Sequence, residues 1–152
     1  MGGFASVEDI LNFAIAREAE AYQFYSFLAS KFHDDAMSEV ILQFAEEELR
    51  HKANLELEVI KTGRTVKQND NPIDFNIDDY IVDAGDYMQL DYQKLLLLAI
   101  AKEDAAFRLY VALAGMAGDQ ESQNVLMQIA QEEAKHKILL EMDSYQSASD
   151  HP

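Results

Sequence analysis

Apolar positions return every three to four residues along most of the chain, a period that predicts long amphipathic helices. Leu11, Ala14, Ile15, Ala21, Tyr22, Tyr25, Leu28, Ala29 and Phe32 form one such stripe, with Glu18 embedded in it. Ser6, ahead of Val7-Glu8-Asp9, reads as the helix start: its hydroxyl can accept a backbone N–H, and the acids sit at the positive end of the helix dipole. His33-Asp34-Asp35 breaks the period and predicts a short turn. Met37, Ile41, Phe44, Glu48, His51, Leu55 and Val59 then make a second stripe, and so short a turn implies an antiparallel neighbour. Thr62-Gly63 provides the glycine expected just past a helix C-terminus.

From Gly63 to about Asp91 the period lapses. The stretch carries Pro72, several asparagines and Asp70, Asp74, Asp78, Asp79, Asp83, Asp86 and Asp91. It is longer than most loops of a helical bundle, so it predicts a crossover connection with one short helix near Ile77 to Ala84. Its acids read as a solvated surface in preference to a cation site, since charge runs usually face water.

The second half then repeats the first at an offset of 85 without a gap. Positions 14–29 match 99–114 at Ala14, Ile15, Ala16, Glu18, Ala21, Tyr25, Leu28 and Ala29. Positions 43–52 match 128–137 at Gln43, Ala45, Glu47, Glu48, His51 and Lys52, and the turn aligns Asp34 with Asp119. The third stripe is therefore Leu96, Ala99, Ile100, Glu103, Ala106, Phe107, Tyr110 and Leu113; the fourth is Leu126, Ile129, Glu133, His136 and Leu140. Two hairpins joined by a long crossover predict an all-α, ferritin-like four-helix bundle. Its helices are expected over about 6–32, 36–62, 92–116 and 120–146, with the crossover over about 63–91, in a single domain of 152 residues.

Composition narrows the function classes. The chain has no cysteine, which excludes thiolate metal sites and thiol nucleophiles. A net charge of −16 argues against nucleic acid and anionic membrane as partners. The longest apolar run, Leu95 to Ala101, is too short to span a bilayer, and with no signal peptide the expected location is cytoplasmic. Met1-Gly2-Gly3-Phe4-Ala5-Ser6 fits the loose N-myristoylation template, but neither a basic patch nor a cysteine supplies a second anchor.

The charged residues inside the stripes carry the chemistry. Glu48-x-x-His51 and Glu133-x-x-His136 each put a carboxylate and an imidazole one turn apart on one helix face, able to reach the same point. Glu18 and Glu103 join them at mid-height. Four carboxylates and two neutral imidazoles balance two divalent cations, and this is the ligand arrangement of di-iron and di-manganese bundle proteins. Oxygen-rich ligation suits iron or manganese better than copper, and zinc would also bind. The alternative, buried carboxylates satisfied by basic side chains, needs inward cations, and the stripes contain none. Lys52 and Lys137 only border the motifs and can snorkel outward.

The run Ala14-Ile15-Ala16-Arg17-Glu18-Ala19-Glu20-Ala21-Tyr22-Gln23-Phe24-Tyr25, its echo from Ala99 to Tyr110, and the two Glu-x-x-His helices resemble the di-iron domain of rubrerythrins. The resemblance covers about Val7 to Tyr145. It implies two iron ions held by Glu18, Glu48, His51, Glu103, Glu133 and His136, with Glu48 and Glu133 as bridges. It further implies an oxidoreductase that reduces hydrogen peroxide or dioxygen, and a homodimer.

Two departures qualify it. No rubredoxin module or cysteine is present, so electrons would come from a separate donor protein such as a rubredoxin. The additional glutamate that rubrerythrins tend to carry one turn after the third-helix ligand is here Ala106, and its repeat mate is Ala21. The six-residue set is then symmetric, as in bacterioferritin, which raises a ferroxidase or iron-handling alternative beside a bundle that keeps metal only for stability. Leu49 stands where bacterioferritin would have its haem-ligating methionine. Tyr25 and Tyr110, two turns from Glu18 and Glu103, read as packed tyrosines with bonded hydroxyls, with donors to the site or radical traps as the alternative. His33 and His151 read as surface histidines, and the tail from Ser147 to Pro152 as disordered.

Overall fold

The computed structural model describes residues 4, 6–32, 35–61, 80, 82 and 85–150. They form α1 (Val7–Ala29), α2 (Asp35–Lys61), a 3-10 turn (Tyr87–Gln89), α3 (Tyr92–Met116) and α4 (Gln120–Asp150), with no strand among the described residues. The helix closure expected at Thr62-Gly63, nearly all of the short helix expected near 77–84, and both His33 and His151 lie outside them.

Side-chain caps set the helix starts. Ser6 Oγ accepts from Asp9 N at 3.1 Å, ahead of α1's acidic first turn. Asp91 accepts from Lys94 N at 2.9 Å to open α3, and Asp119 accepts from Ser122 N at 3.0 Å at the start of α4. Asp86 caps the 3-10 turn through Met88 N at 3.2 Å. Two acids of the crossover, Asp86 and Asp91, therefore terminate backbone as well as facing solvent. At the other end of α1, Ser30, Lys31 and Phe32 donate to carbonyls three residues back, the tightened last turn that satisfies orphan carbonyls. α4 runs on through Asp150, so helix and not disorder continues past Ser147; no glycine or proline interrupts the chain there.

α1 packs on α2 and α3 on α4, and the hairpins meet along α1/α3 and α2/α4. Both of those seams are antiparallel. Tyr25 meets Glu103 while Tyr110 meets Glu18, and His51 meets Glu132 while His136 meets Glu47, so numbers climb on one helix as they fall on its neighbour. Two apolar clusters fill the bundle. One contains Ile10, Leu11, Leu55, Leu113 and Leu126; the other contains Phe24, Leu28, Ile41, Leu96 and Leu140. The expected stripes hold with one exchange on α1: Tyr22 is exposed, and Phe24 is buried instead. The aromatic ring of Tyr87 in the 3-10 turn, 5.2 Å from that of Phe24, covers this side of α1, which a single helix pattern does not reveal.

Candidate metal centre

Between the two apolar clusters lies a layer of polar groups. Glu18, Glu48, His51, Glu103, Glu133 and His136 are all at most 3% exposed. The structure brings all six residues singled out from the sequence together. They form two overlapping groups, Glu18, Glu48, His51 and Glu133 in one and Glu48, Glu103, Glu133 and His136 in the other, with the ligand atoms of each within 4.8 Å of one another. Glu48 and Glu133 belong to both, the placement a bridging pair requires.

Each of the six contributes one buried polar atom that has no hydrogen-bond partner: Glu18 Oε2, Glu48 Oε1, His51 Nδ1, Glu103 Oε2, Glu133 Oε1 and His136 Nδ1. Such atoms are costly, and several together facing one point are what a bound cation would satisfy. His51 Nδ1 lies 3.1 Å from Glu133 Oε1, 3.5 Å from Glu18 Oε1 and 3.6 Å from Glu48 Oε1, without the alignment of a hydrogen bond. No basic side chain substitutes for a metal from the positions flanking the motifs. Lys52 pairs with Glu56 at 3.3 Å and Lys137 with Asp104 at 3.0 Å, both turned to the surface.

Electrostatics in the metal-free chain record the crowding. Burial first, then Glu133 and Glu18, raise the Glu48 pKa well above 4.5. Burial and Glu103 do the same to Glu133. Burial works to lower the His51 pKa, but Glu133 and Glu18 outweigh it and push it from 6.5 up to about 11. Four carboxylates in one dry layer cannot all ionise without countercharge, so protons occupy the place that cations would take.

Outside this layer the structure adds residues that sequence reasoning did not assign. His51 Nε2 is bonded to Glu132, and His136 Nε2 to Glu47, each carboxylate reaching over from the opposite helix. A carboxylate on the far nitrogen fixes the ring so that Nδ1 faces inward, the usual support for a metal-binding imidazole. The signal was present: Glu47 and Glu132 are among the identities of the repeat. Phe44 also stacks on His136 with centroids 4.1 Å apart. The tyrosines bond across the seam, not along their own helices. Tyr25 donates to Glu103, and Tyr110 donates to Glu18 at 2.6 Å.

On the α1/α3 side, a cavity of about 80 Å³ reaches Glu18, Glu48, Glu103 and Glu133 beside Ala21 and Ala106. The small side chains at these two positions leave that space open. Arg17 and Lys102 line it as well, and both hold toward Glu20, at 2.9 Å and 3.9 Å. No helix among the described residues is long and apolar enough to cross a membrane.

The bundle is similar to solved structures over nearly its whole length. A hypothetical protein from Pyrococcus furiosus shares 26% identity, covering 92% of this chain and 89% of that one, with a TM-score of 0.70. A ferritin-like diiron-carboxylate protein from Thermotoga maritima superposes with a TM-score of 0.78 over 97% of this chain and 99% of that one, at 21% identity, which establishes the fold. No curated protein matches the chain significantly. The sequence pattern of the rubrerythrin family matches residues 9–142, and the chain belongs to that family.

Proposed function

We propose that the protein is a di-iron oxidoreductase that reduces hydrogen peroxide or dioxygen with electrons from a separate donor protein such as a rubredoxin. The observation that carries this reading is the set of six buried, otherwise unpartnered ligand atoms arranged as two groups sharing Glu48 and Glu133. Two ferrous ions bound there would supply Lewis acidity and one electron each, the two electrons needed to cleave an O–O bond. The chain's own residues provide the rest. Tyr25 and Tyr110 steady Glu103 and Glu18 through donated hydrogen bonds, and Glu132 and Glu47 hold the imidazoles. The cavity beside Ala21 and Ala106 has room for a two-oxygen molecule against the four glutamates.

Those two alanines also favour a second reading, ferroxidase or iron storage. They leave the ligand set symmetric, without a fifth carboxylate to exchange as the redox state changes.

Peroxide kinetics on the iron-loaded, anaerobically reduced protein separate the two. Many turnovers with a rubredoxin-type donor support the oxidoreductase. A single stoichiometric oxidation supports iron handling, and failure to reoxidise with peroxide overturns the peroxidase.

A further inference from the structure

Contacts around the two histidines diverge where the repeat does. On the His136 side, Phe44 stacks on the imidazole, and Tyr92 Oη donates to Asp143 Oδ2 at 2.9 Å. At an offset of 85, the counterparts on the His51 side are Ile129 for Phe44, Val7 for Tyr92, Glu58 for Asp143 and Asn54 for Leu139. Ile129 removes the stacking ring, Val7 removes the hydroxyl partner and Asn54 adds a polar group, while Glu58 keeps a carboxylate in place of Asp143.

The result is a cavity of about 250 Å³ in the groove between α2 and α4, with His51, Asn54, Glu58, Ile129 and Glu132 among its walls. Glu58 is 2% exposed, and its Oε1 has no hydrogen-bond partner. Asp143 has the Tyr92 hydroxyl, whereas Val7, the repeat counterpart of Tyr92, carries no side-chain donor, and Glu58 Oε1 is left without a partner. Glu58 is not part of either group of the metal centre, so that centre does not explain it. Glu132 stands between the groove and the centre, since its carboxylate is the one on His51 Nε2.

We propose that this groove is a loading site for a hydrated divalent cation, held by Glu58 and Glu132 before it passes to the His51 side of the centre. The proposal rests on reading the six-residue cluster as a metal centre. Size and chemistry agree with it. Six waters occupy roughly 180 Å³ at about 30 Å³ each, so a hexahydrated ion fits the groove. Carboxylate oxygens suit such ions, and the strongly acidic chain concentrates cations at its surface. Lys61 at the mouth is exposed, where solvent and salt screen its charge.

The test is stopped-flow mixing of the metal-free protein with Co²⁺, following the absorption of the bound ion, together with the stoichiometry at equilibrium. Wild type is expected to bind two ions per chain. Glu58→Gln should still bind two but load roughly tenfold or more slowly, as loss of a steering charge does. Ile129→Phe, which copies the plugged side, should slow loading similarly, while Asp143→Asn loads at the wild-type rate. Wild-type loading by Glu58→Gln overturns the proposal, and this near-isosteric variant decides alone if Ile129→Phe does not fold. Equal slowing in Asp143→Asn also overturns it, because the effect would then not belong to the groove. If wild type binds no Co²⁺ at all, the metal centre itself fails, an outcome distinct from wild-type stoichiometry with an unaltered rate.

Discussion

Tyr110 on α3 donates a 2.6 Å hydrogen bond to Glu18 on α1, and both side chains are buried. Burial first, then Glu18, raises the Tyr110 pKa well above 10, and burial with Glu103 does the same for Tyr25. Neither phenol should ionise while the metal-free protein is folded. In an alkaline absorbance titration, the Tyr25→Phe/Tyr110→Phe double variant should therefore show the same amplitude as wild type up to the unfolding pH. Tyr110→Phe alone removes a donor to a buried carboxylate and should cost roughly 1.5–3 kcal/mol of stability, read from denaturant unfolding. A smaller titration amplitude in the double variant below that pH would show that the phenols are not shielded.

Glu132 and Glu47 hold the two imidazoles from the opposite helices. Glu47→Ala and Glu132→Ala should each weaken binding about 10–100-fold, as loss of a supporting carboxylate does, while two ions still bind at saturation. Isothermal titration with Mn²⁺ or Co²⁺ reads both quantities. Unchanged affinity in both variants would show that the rings are held by packing alone.

Stability of the metal-free protein should fall as pH rises above mildly acidic values. Glu48 and Glu133, raised well above 4.5, keep protons in the folded state that the unfolded chain loses, so the folded state binds more protons from about pH 4.5 upward. His51 adds the same sign between its unfolded value of 6.5 and its folded value of about 11. His136 is raised too, by Glu103 and Glu47 against the effect of burial. Glu103 has the opposite sign. Burial opposes its ionisation, but Glu133, His136 and Tyr25 outweigh that and lower its pKa, so its contribution is lost as pH falls. The unfolding free energy of the metal-free form, and with it the melting temperature, is expected to peak near pH 5 and decline toward pH 9, the free energy by at most about 1.4 kcal/mol per pH unit for each proton involved. Metal displaces those protons, so its binding tightens over the same range. Calorimetry of both forms across that range is the check, and a metal-free stability that rises toward pH 9 contradicts the proton assignment.

Glu48→Gln with Glu133→Gln should act with opposite signs on stability and on metal. Removing two crowded, buried acids relieves the metal-free fold above pH 7, while the shared ligands are lost. The double variant should melt higher than metal-free wild type and bind metal at background level by elemental analysis. For wild type, two ions at a hundredfold excess over their dissociation constants would add about 2.7 kcal/mol each. A double variant less stable than metal-free wild type at pH 8 would mean that the carboxylates are well satisfied without a metal.

Much of this protein was legible in its sequence for a simple reason. The direction of a side chain on a helix follows from its position in the 3.6-residue period, so Glu18, Glu48, His51, Glu103, Glu133 and His136 could be placed on inner faces without knowing any neighbour. The repeat at 85 then made the two hairpins equivalent and implied that their inner faces meet.

What that period leaves open is everything set by the register of one helix against another. Tyr110 bonds Glu18 and not its own helix's Glu103, and Glu132 reaches His51, because antiparallel seams pair rising numbers with falling ones. Phe24 is buried and Tyr22 exposed because the 3-10 turn at Tyr87 covers one side of α1. The open groove at Glu58 is formed between two helices, with Asn54 and Glu58 on α2 and Ile129 and Glu132 on α4, far apart in the sequence. The sequence by itself determined which groups face inward; only the tertiary structure decided which of them touch, because contact depends on the relative shift of packed helices, a quantity no single helix's pattern contains.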